Sequence, residues 1–427
     1  SRSSGSAIAA EVFMNNAGVG ATVMEPKPYM LVTDGQERSA LAITRGLGRA
    51  GIPVIVGAET ERSLAGASRY CVARWQYPSP LQQPTEFISS LVEAAKRFDI
   101  AAIIPPTDAS MQAVAAQRDQ FRPSVTSMIP SLESYDMVSD KYRLMKLAQE
   151  LGIPIPNTIF VPDGNIAVIR NQVKTYPVVV KPGRSLVKID NRWVKTSVHF
   201  VSHAEELTDL YRRTSYLQHP SLIQQRIEGE GQGVFGLFNH GKPCALFAHR
   251  RIREKPPAGG VSVFRESIEL PKPMKDYAVR LLEQVKWDGV AMVEFKVDRQ
   301  SNVPMLMEIN GRFWGSLQLA IDAGLNFPYL LYQAMNGVPV AVPNNAYRIG
   351  TKSRWLLGDL DHLLLRLTKS NVDLRLDAHA ESRGRCVADF FKLFQHDLHY
   401  EVESLTDPGP AFMEYRNWLS HLAGSRS

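Results

Sequence analysis

Two carboxylates and an amide in this 427-residue chain stand where a doubly charged cation could use them. Glu294 lies in the run Val290-Ala-Met-Val-Glu-Phe-Lys-Val297. Glu308 and Asn310 lie in Met305-Leu-Met-Glu-Ile-Asn-Gly-Arg-Phe-Trp-Gly-Ser316. Side chains alternate sides along a strand, so Val293, Phe295, Met307 and Ile309 are expected on a core face. Glu294 then falls on the other face with Lys296, while Glu308 and Asn310 share a face two residues apart. Paired as an antiparallel hairpin, the two runs would bring two carboxylates and an amide oxygen together. Mg²⁺ takes oxygen ligands of this kind when phosphates complete its octahedron. The plainer reading is an amphipathic hairpin with a wet outer face.

Basic residues are placed to receive an anion. Lys141 falls in the first turn of an expected helix, where a cation opposes the helix dipole and an anion would be favoured. A solvated surface lysine is its plainer reading. Lys181 ends the apolar run Tyr176-Pro-Val-Val-Val-Lys-Pro-Gly183, so it either snorkels to a sheet edge or holds a phosphate beside the glycine turn. Ser221–Gly236 reads as a strand, a glycine-dense turn and a second strand; backbone at Arg226 and Ile227 could read a flat base, with Glu230 placed for ribose hydroxyls. Ala248-His-Arg-Arg-Ile-Arg-Glu-Lys255 is either a solvated edge or a wall that grips phosphate or carboxylate through arginine forks.

The elements that must position these groups follow from periodicity. Strands are expected at Tyr29–Thr33, Val54–Val56 and Ala101–Ile104, alternating with helices, so the chain to about residue 130 reads as a small open parallel α/β domain. Its first strand–helix turn lacks G-x-G-x-x-G, and Gly46-Leu-Gly48 falls inside the helix, which argues against a dinucleotide there. Thr107 and Asp108 sit at a strand's carboxyl end and read as a satisfied turn. Asp140 caps the Lys141 helix, with Leu144, Leu147 and Leu151 as its stripe. Arg184–Lys188 and Arg192–Lys195 read as a mobile basic loop. Leu317–Asn336 reads as one or two helices. Beyond residue 341, Leu356, Leu360, Leu363, Leu364 and Leu367 form one helical stripe and Val387, Phe390, Phe394 and Leu398 another, each expected to bury against the rest of the protein or a second copy.

Composition sets outer bounds. The chain is 44% apolar and 22% charged with a formal net charge of +6, as expected of a soluble globular enzyme of two to four domains. No run of five basic residues argues for nucleic acid, and no stretch of about 18 uninterrupted apolar residues argues for a membrane span. The three cysteines, Cys71, Cys244 and Cys386, lie far apart without metal-ligand spacing and fit a reducing, cytoplasmic setting. Residues 1–28 are expected to be a disordered or added end, without a charged leader in Ala7–Met24.

Taken in order, Lys141, the Val-Val-Val-Lys181-Pro strand, Gln224-Gln-Arg-Ile-Glu-Gly-Glu230, Glu294 and Glu308-Ile-Asn310-Gly-Arg312 resemble the ATP-grasp superfamily of carboxylate–amine ligases, in its carbamoyl-phosphate-synthetase-like branch. The resemblance spans roughly residues 30–340 and no single motif carries it. It implies an N-terminal α/β domain over 29–130, a linker helix and lid over 131–222, a central antiparallel-sheet domain over 223–340 and a helical extension over 341–427. By the same resemblance Lys141 and Lys181 contact phosphates, and the backbone around Arg226 and Ile227 reads adenine. Glu230 binds ribose, and Glu294, Glu308 and Asn310 hold Mg²⁺, with Mn²⁺ as a substitute. Arg312 neutralises the transferring phosphoryl group. The sequence departs from the pattern twice. A single glycine follows Lys181, so Arg184 and Ser185 stand in for backbone donors, and Gln224-Gln225 replace an acid at the hinge.

The implied reaction converts a carboxylate to an acyl phosphate with release of ADP, after which an amine displaces phosphate. The expected partners are a small-molecule carboxylate and an amine, and a second copy of the chain in a homodimer. Arg250, Arg251 and Arg253, with Gly259–Ser262 and Trp314–Ser316, are the candidates for gripping the carboxylate. A carboxylating or phosphotransfer enzyme on the same scaffold, and a nucleotide-binding regulator without turnover, stand as alternatives.

Overall fold

The computed structural model describes residues 28–424 apart from 122–124, 126, 191 and 377–378. The expectation for residues 1–27 lies outside the described residues. The first unit runs β1 (Tyr29–Val32), α1 (Arg38–Arg49), β2 (Val54–Ala58), β3 (Cys71–Gln76), α2 (Pro84–Phe98), β4 (Ile100–Ile104) and α3 (Asp108–Ala116). Its strands are parallel in the order β3-β2-β1-β4. Strand β3 escapes the periodicity reading because it is an edge strand: its residues alternate between half-buried and exposed, with Val72 and Arg74 among them, and no apolar run marks it. Strand order reverses at β1, so the carboxyl ends of β1 and β4 flank the crevice where open α/β sheets present ligand-facing groups. At β1 those groups are spent internally, since the Asp34 carboxylate accepts hydrogen bonds from Thr33 and Ser110. At β4, Asp108 reaches out of the domain.

Helices α4 (Leu132–Ser139) and α5 (Lys141–Glu150) lead to a small antiparallel sheet. Asp140 caps α5 by accepting from the Tyr142 and Arg143 amides. The small sheet is made from β5 (Thr158–Val161), β6 (Val178–Pro182), β9 (His199–Val201) and β10 (Ser221–Gln225), in the order β5-β10-β6-β9, with α6 (Ile166–Gln172) and α7 (Ala204–Arg213) on it. Residues 186–195, expected as a loop, instead form a two-stranded hairpin of β7 (Leu186–Ile189) and β8 (Arg192–Lys195). Val187 lies opposite Val194 and Lys188 opposite Trp193, and the β-branched and aromatic residues Val187, Ile189, Trp193 and Val194 favour strands, a signal the interspersed charges obscured.

The large sheet takes β11 (Gly229–Asn239), β12 (Lys242–Lys255), β13 (Val261–Ser267), β14 (Gly289–Asp298) and β15 (Pro304–Asn310). Helix α8 (Lys272–Gln284) precedes β14, and α9 (Leu317–Asp322) and α10 (Phe327–Met335) follow β15. The rest of the chain is β16 (Lys352–Arg354), α11 (Leu356–Thr368), α12 (Arg383–Phe390), β17 (Leu398–Tyr400) and α13 (Gly409–Gly424). The sheet order is β15-β14-β11-β12-β13-β16-β17. The C-terminal segment is thus helical but also lends two strands to the sheet's far edge, β16 antiparallel to β13 and β17 parallel to β16.

Both C-terminal stripes differ from expectation. Helix α11 buries Leu357, Asp359, His362, Leu363 and Arg366, leaving Leu364 and Leu367 exposed. The helix is turned by its polar anchor. Asp359 is wholly buried and accepts two hydrogen bonds from Arg253, at 2.6 and 2.7 Å, and one from Arg354 at 2.6 Å. The second stripe does not exist as one helix, because α12 stops at Phe390, Phe394 is exposed and Leu398 belongs to β17.

Apolar faces meet in three clusters. One joins α2 and one face of the parallel sheet to α5, α8 and the large sheet around Trp287 and Phe295. The second joins α1 and the opposite face to Phe235, Trp314 and α10, and the third fills the small sheet. The first unit is therefore packed continuously against the large sheet, and burial of this kind stabilises by about 25 cal/mol per Å² of apolar area removed from water. Among the described residues no helix is long and apolar enough to cross a membrane.

Candidate active site

A cavity of about 620 Å³ lies between the small sheet and the large one. Its floor is the β14–β15 hairpin. Glu294 and Glu308 are direct cross-strand partners, so the two carboxylates meet as their spacing implied. The register shifts immediately afterwards, Phe295 pairing with Leu306 and leaving Met307 as an extra residue. That bulge corrects one expectation. Leu306, not Met307, enters the core with Phe295, and Met307 lines the cavity, where its Sδ lies 3.8 Å from Lys181 Nζ.

Each carboxylate of the pair has its own cation. Arg251 donates to Glu294 Oε2 at 2.5 Å, and Lys141 Nζ stands 3.2 Å from Glu308 Oε2. Lys141 is brought there by α5, whose first amide donates to the Gly183 carbonyl at 2.6 Å. Gly183 lies so close to the Pro220 carbonyl that a Cβ would meet it at 2.7 Å. The lone glycine after Lys181 therefore serves a close backbone approach between β6, α5 and the entry to β10.

Charge in the cavity is tightly coupled. Lys141 foremost, against burial, holds the Glu308 carboxyl down at about 2. Burial raises Glu294, with Arg251 opposing it and Glu308 adding to it. Burial alone would lower the Lys141 ammonium, but Glu308, Asp108 and Glu294 outweigh it and the net shift is upward. Lys181 is lowered to about 8, first by burial and then by Lys141, with Glu308 opposing.

Hard oxygen donors from two adjacent carboxylates suit Mg²⁺ better than Zn²⁺ or a soft metal. Among the described residues no group of three or more His, Cys, Asp or Glu side chains is placed to hold a metal ion. Asn310 is turned the other way: its Nδ2 donates to Glu308 Oε1 at 3.1 Å and its Oδ1 accepts from Arg312 at 3.1 Å. Its amide must rotate to offer oxygen to a cation beside Glu308.

Further side chains complete the wall. Gln224 is buried and donates to Thr158 Oγ1 at 3.0 Å, while its Oε1 has no hydrogen-bond partner. Gln225, Arg226 and Ile227 line the same end, and Arg226 also donates to the Arg375 carbonyl at 2.6 Å. At the other end Arg312 is gripped by Asp108 at 2.9 Å, and Asp108 accepts from the Tyr135 hydroxyl at 3.0 Å. Burial would raise the Asp108 carboxyl, yet Arg312 outweighs it and the net shift is downward.

Five candidates, Arg184, Ser185, Glu230, Arg250 and Arg253, stand apart from the cavity. Arg184 donates to Asp136 and Asp140, and with Ser185 it lines a small side pocket that shares Lys141 and Asn310. Glu230 and Arg250 face each other on the opposite side of β11 and β12, Arg250 also pairing with Glu266 at 2.7 Å. Strand alternation explains this, since Gly231, His249 and Arg251 take the cavity side. Arg253 is shifted by a bulge after Arg251 and spent on Asp359. Gly259–Ser262 and Trp314–Ser316 do line the cavity.

Comparison with known proteins bears on the fold. The family model described as "ATP-grasp in the biosynthetic pathway with Ter operon" matches residues 219–354, which carry the hinge, both carboxylates and Arg312. That block resembles an ATP-grasp domain. The chain's fold is shared by the L-amino acid ligase of Bacillus licheniformis, at TM-score 0.55 and 14% identity over 74% of this chain and 76% of that one. It is shared equally by the biotin carboxylase domain of the Hydrogenobacter thermophilus 2-oxoglutarate carboxylase, solved as a dimer with MgADP, ADP and bicarbonate, at TM-score 0.59 and 12% identity over 76% and 73%. A putative urea carboxylase of Emericella nidulans is 26% identical over 52% of this chain, which spans only 18% of that protein's length. The proteins the chain resembles include both a ligase and carboxylases.

Sequence reasoning did not single out Asp108 and Tyr135 as partners of Arg312, nor His249, Arg265 and Glu401. Asp108 was visible as a polar residue at a β-strand's carboxyl end beside the order reversal. Arg265 follows Val261-Ser-Val-Phe264, a stretch for which the sequence reading expected no strand, so nothing marked it as inward. Glu401 carried no local signal.

Proposed function

We propose that the protein is an ATP-dependent ligase that activates a carboxylate as an acyl phosphate and couples it to an amine. The observation that carries this reading is the cross-strand pair Glu294–Glu308 on the cavity floor, flanked by Lys141, Lys181 and Arg312. Glu294 and Glu308, with Asn310 once its amide turns, would hold Mg²⁺ (or Mn²⁺). The ion would neutralise the phosphate tail.

In this reading the adenine lies against the Gln224–Ile227 end, where the unpartnered Gln224 Oε1 can accept from its amino group. The backbone of Arg226 and Ile227 supplies the remaining base contacts. Lys141 exchanges Glu308, and Lys181 the Met307 sulfur, for phosphate oxygens. A substrate carboxylate oxygen then attacks the γ-phosphorus, the bond to the bridging oxygen breaks, and ADP leaves. Arg312, oriented by Asp108 and Tyr135, stabilises charge on the phosphoryl group in flight. The amine nitrogen attacks the acyl carbon, phosphate departs with the electron pair and the amine gives up a proton. Arg251 steadies Glu294 throughout. Catalysis rests on positioning rather than on a covalent nucleophile. The assignments of Glu230 to ribose and of Arg184, Ser185 and Arg250 to anions require these side chains to move from their present partners.

A carboxylating enzyme is the second reading, favoured by the bicarbonate in one of the fold's neighbours; a phosphotransferase or a binding protein without turnover would retain the fold as well. A cytoplasmic setting is supported by the unpaired state of Cys71, Cys244 and Cys386, and a homodimer is read by light scattering. The deciding experiment incubates the protein with MgATP and panels of acids and amines and follows ADP, phosphate and product mass. Amine-dependent ADP release is expected, reduced at least about a thousandfold in Glu308→Gln with the fold intact. ADP release that needs bicarbonate but no amine selects the carboxylating reading.

A further inference from the structure

Beyond the carboxylate pair, the cavity ends in a second polar cluster that the phosphate-handling groups do not use. Arg265, on β13, lines this end and is wholly buried. Its Nη1 donates to the Ser262 carbonyl at 2.6 Å, its Nη2 is ion-paired with Glu401, and its Nε has no partner. Around it lie His249, Ser262, Trp314 and Ser316. His249 Nε2 shares a hydrogen bond of 2.8 Å with Ser316 Oγ, while His249 Nδ1, Ser262 Oγ and Trp314 Nε1 are buried without partners. Native proteins rarely leave buried polar atoms unpaired, and a cluster of them on one cavity wall needs a reason. Two of these orphans, the arginine Nε–H and the indole N–H, can only donate. Such a wall is complementary to an acceptor, and above all to an anion.

Local charge points the same way. Glu401 is buried and is shared by two guanidiniums, Arg265 and Arg38. Arg38 also stacks on the Trp355 ring, 3.9 Å from its centre. Burial, then the neighbouring Arg38 and Arg251 cations, press on the Arg265 charge, so an incoming anion would relieve it. Glu401 itself is fixed from the first helix of the fold. Arg45 of α1 donates to the Glu401 and Val402 carbonyls at 2.9 and 2.8 Å and to the Asp407 carboxylate at 2.8 Å.

The geometry points to Arg265 as the residue that binds the carboxylate of the acid substrate, and to Glu401, supplied by the C-terminal segment, as the positioning residue that aims it. This rests on the acid-activating reading above and deepens it. The acid presents its carboxylate to Arg265 and the Trp314 indole, near the phosphoryl-transfer centre at Arg312, which lines the same cavity. The C-terminal segment is thereby part of the site and not an appended module.

The test separates the two layers. MgATP binding is measured by calorimetry, and ADP release is measured with single acids at graded concentration: bicarbonate, acetate, succinate, benzoate and each proteinogenic amino acid. For every acid that stimulates the wild type, Arg265→Met is expected to raise the KM at least tenfold and Arg265→Lys to recover part of the loss. MgATP affinity should stay within twofold in both. Glu401→Gln is expected to raise the same KM several-fold, with the KM for ATP unchanged and Glu401→Asp closer to wild type; circular dichroism confirms that each variant is folded. An acid KM in Arg265→Met within twofold of wild type overturns the proposal, as does a wild type that binds MgATP but answers to none of these acids. Absence of MgATP binding overturns the nucleotide reading instead, and the acid site with it. Loss of ATP and acid affinity together in Glu401→Gln would reduce Glu401 to a structural role.

Discussion

Lys181 sits opposite Glu308 and beside Lys141, and burial lowers its ammonium to about 8. A phosphate tail would favour the charged form, so free protein must take up a proton at Lys181 when it binds nucleotide above that pH. Nucleotide affinity is therefore expected to fall as pH rises through about 8, and the decline should vanish in Lys181→Met; isothermal titration across pH 7 to 9.5 reads both, on the order of tenfold per pH unit at the steepest. Stability has the opposite slope. Without nucleotide, the folded state holds fewer protons than the unfolded chain from about 8 up to the ordinary value of 10.5. The contribution of Lys181 to stability thus rises across that window. Arg312 gives a second test. Asp108→Asn removes the charge that orients it, at 2.9 Å, and should lower kcat by about tenfold or more with the KM for ATP little changed. Equal loss in both constants would mean that Asp108 only holds the domains together.

The hairpin that carries Glu294 and Glu308 works because of one extra residue. Strand periodicity correctly put both carboxylates on one side, and Glu294 does stand opposite Glu308. It could not show the bulge at Met307, because a bulge is fixed by pairing between distant strands and not by local alternation. Deleting Met307 should force either Leu306 out of the core or Glu308 out of the cavity. Chemical denaturation should then report a loss of more than about 2 kcal/mol, whereas Met307→Leu, which keeps the count, should cost under about 1.5 kcal/mol. Helix α11 tells the same story from the other side. Its leucines suggested one buried face, yet the helix turns Asp359 inward to meet Arg253 and Arg354. Asp359→Ala would leave two guanidiniums without their carboxylate, and should cost about 3–5 kcal/mol in unfolding free energy measured in urea. What sequence patterning misses here is polar: apolar period marks a stripe only where hydrophobic contact alone decides which side faces in.

At the scale of the molecule, the alternating first unit was legible from local periodicity, and the two antiparallel sheets were expected only through the family resemblance, since strands in each pair across about sixty residues. The contacts that join these parts were not legible. Asp108 meets Arg312, Arg226 meets Arg375, and Arg45 and Arg265 meet the stretch from Glu401 to Asp407, each across more than a hundred residues. A chain ending at residue 396 would strip Arg45 and Arg265 of their carboxylates. Expressed with and without residues 397–427 side by side, the shortened form should be insoluble or melt well below the other by circular dichroism. The shared Glu401 carries a lesson for engineering as well. Residues 219–354 hold the recognisable signature, but transplanting that block into another scaffold would leave its acid-gripping arginine uncoached, and specificity grafted this way should arrive as affinity for nucleotide without discrimination among acids.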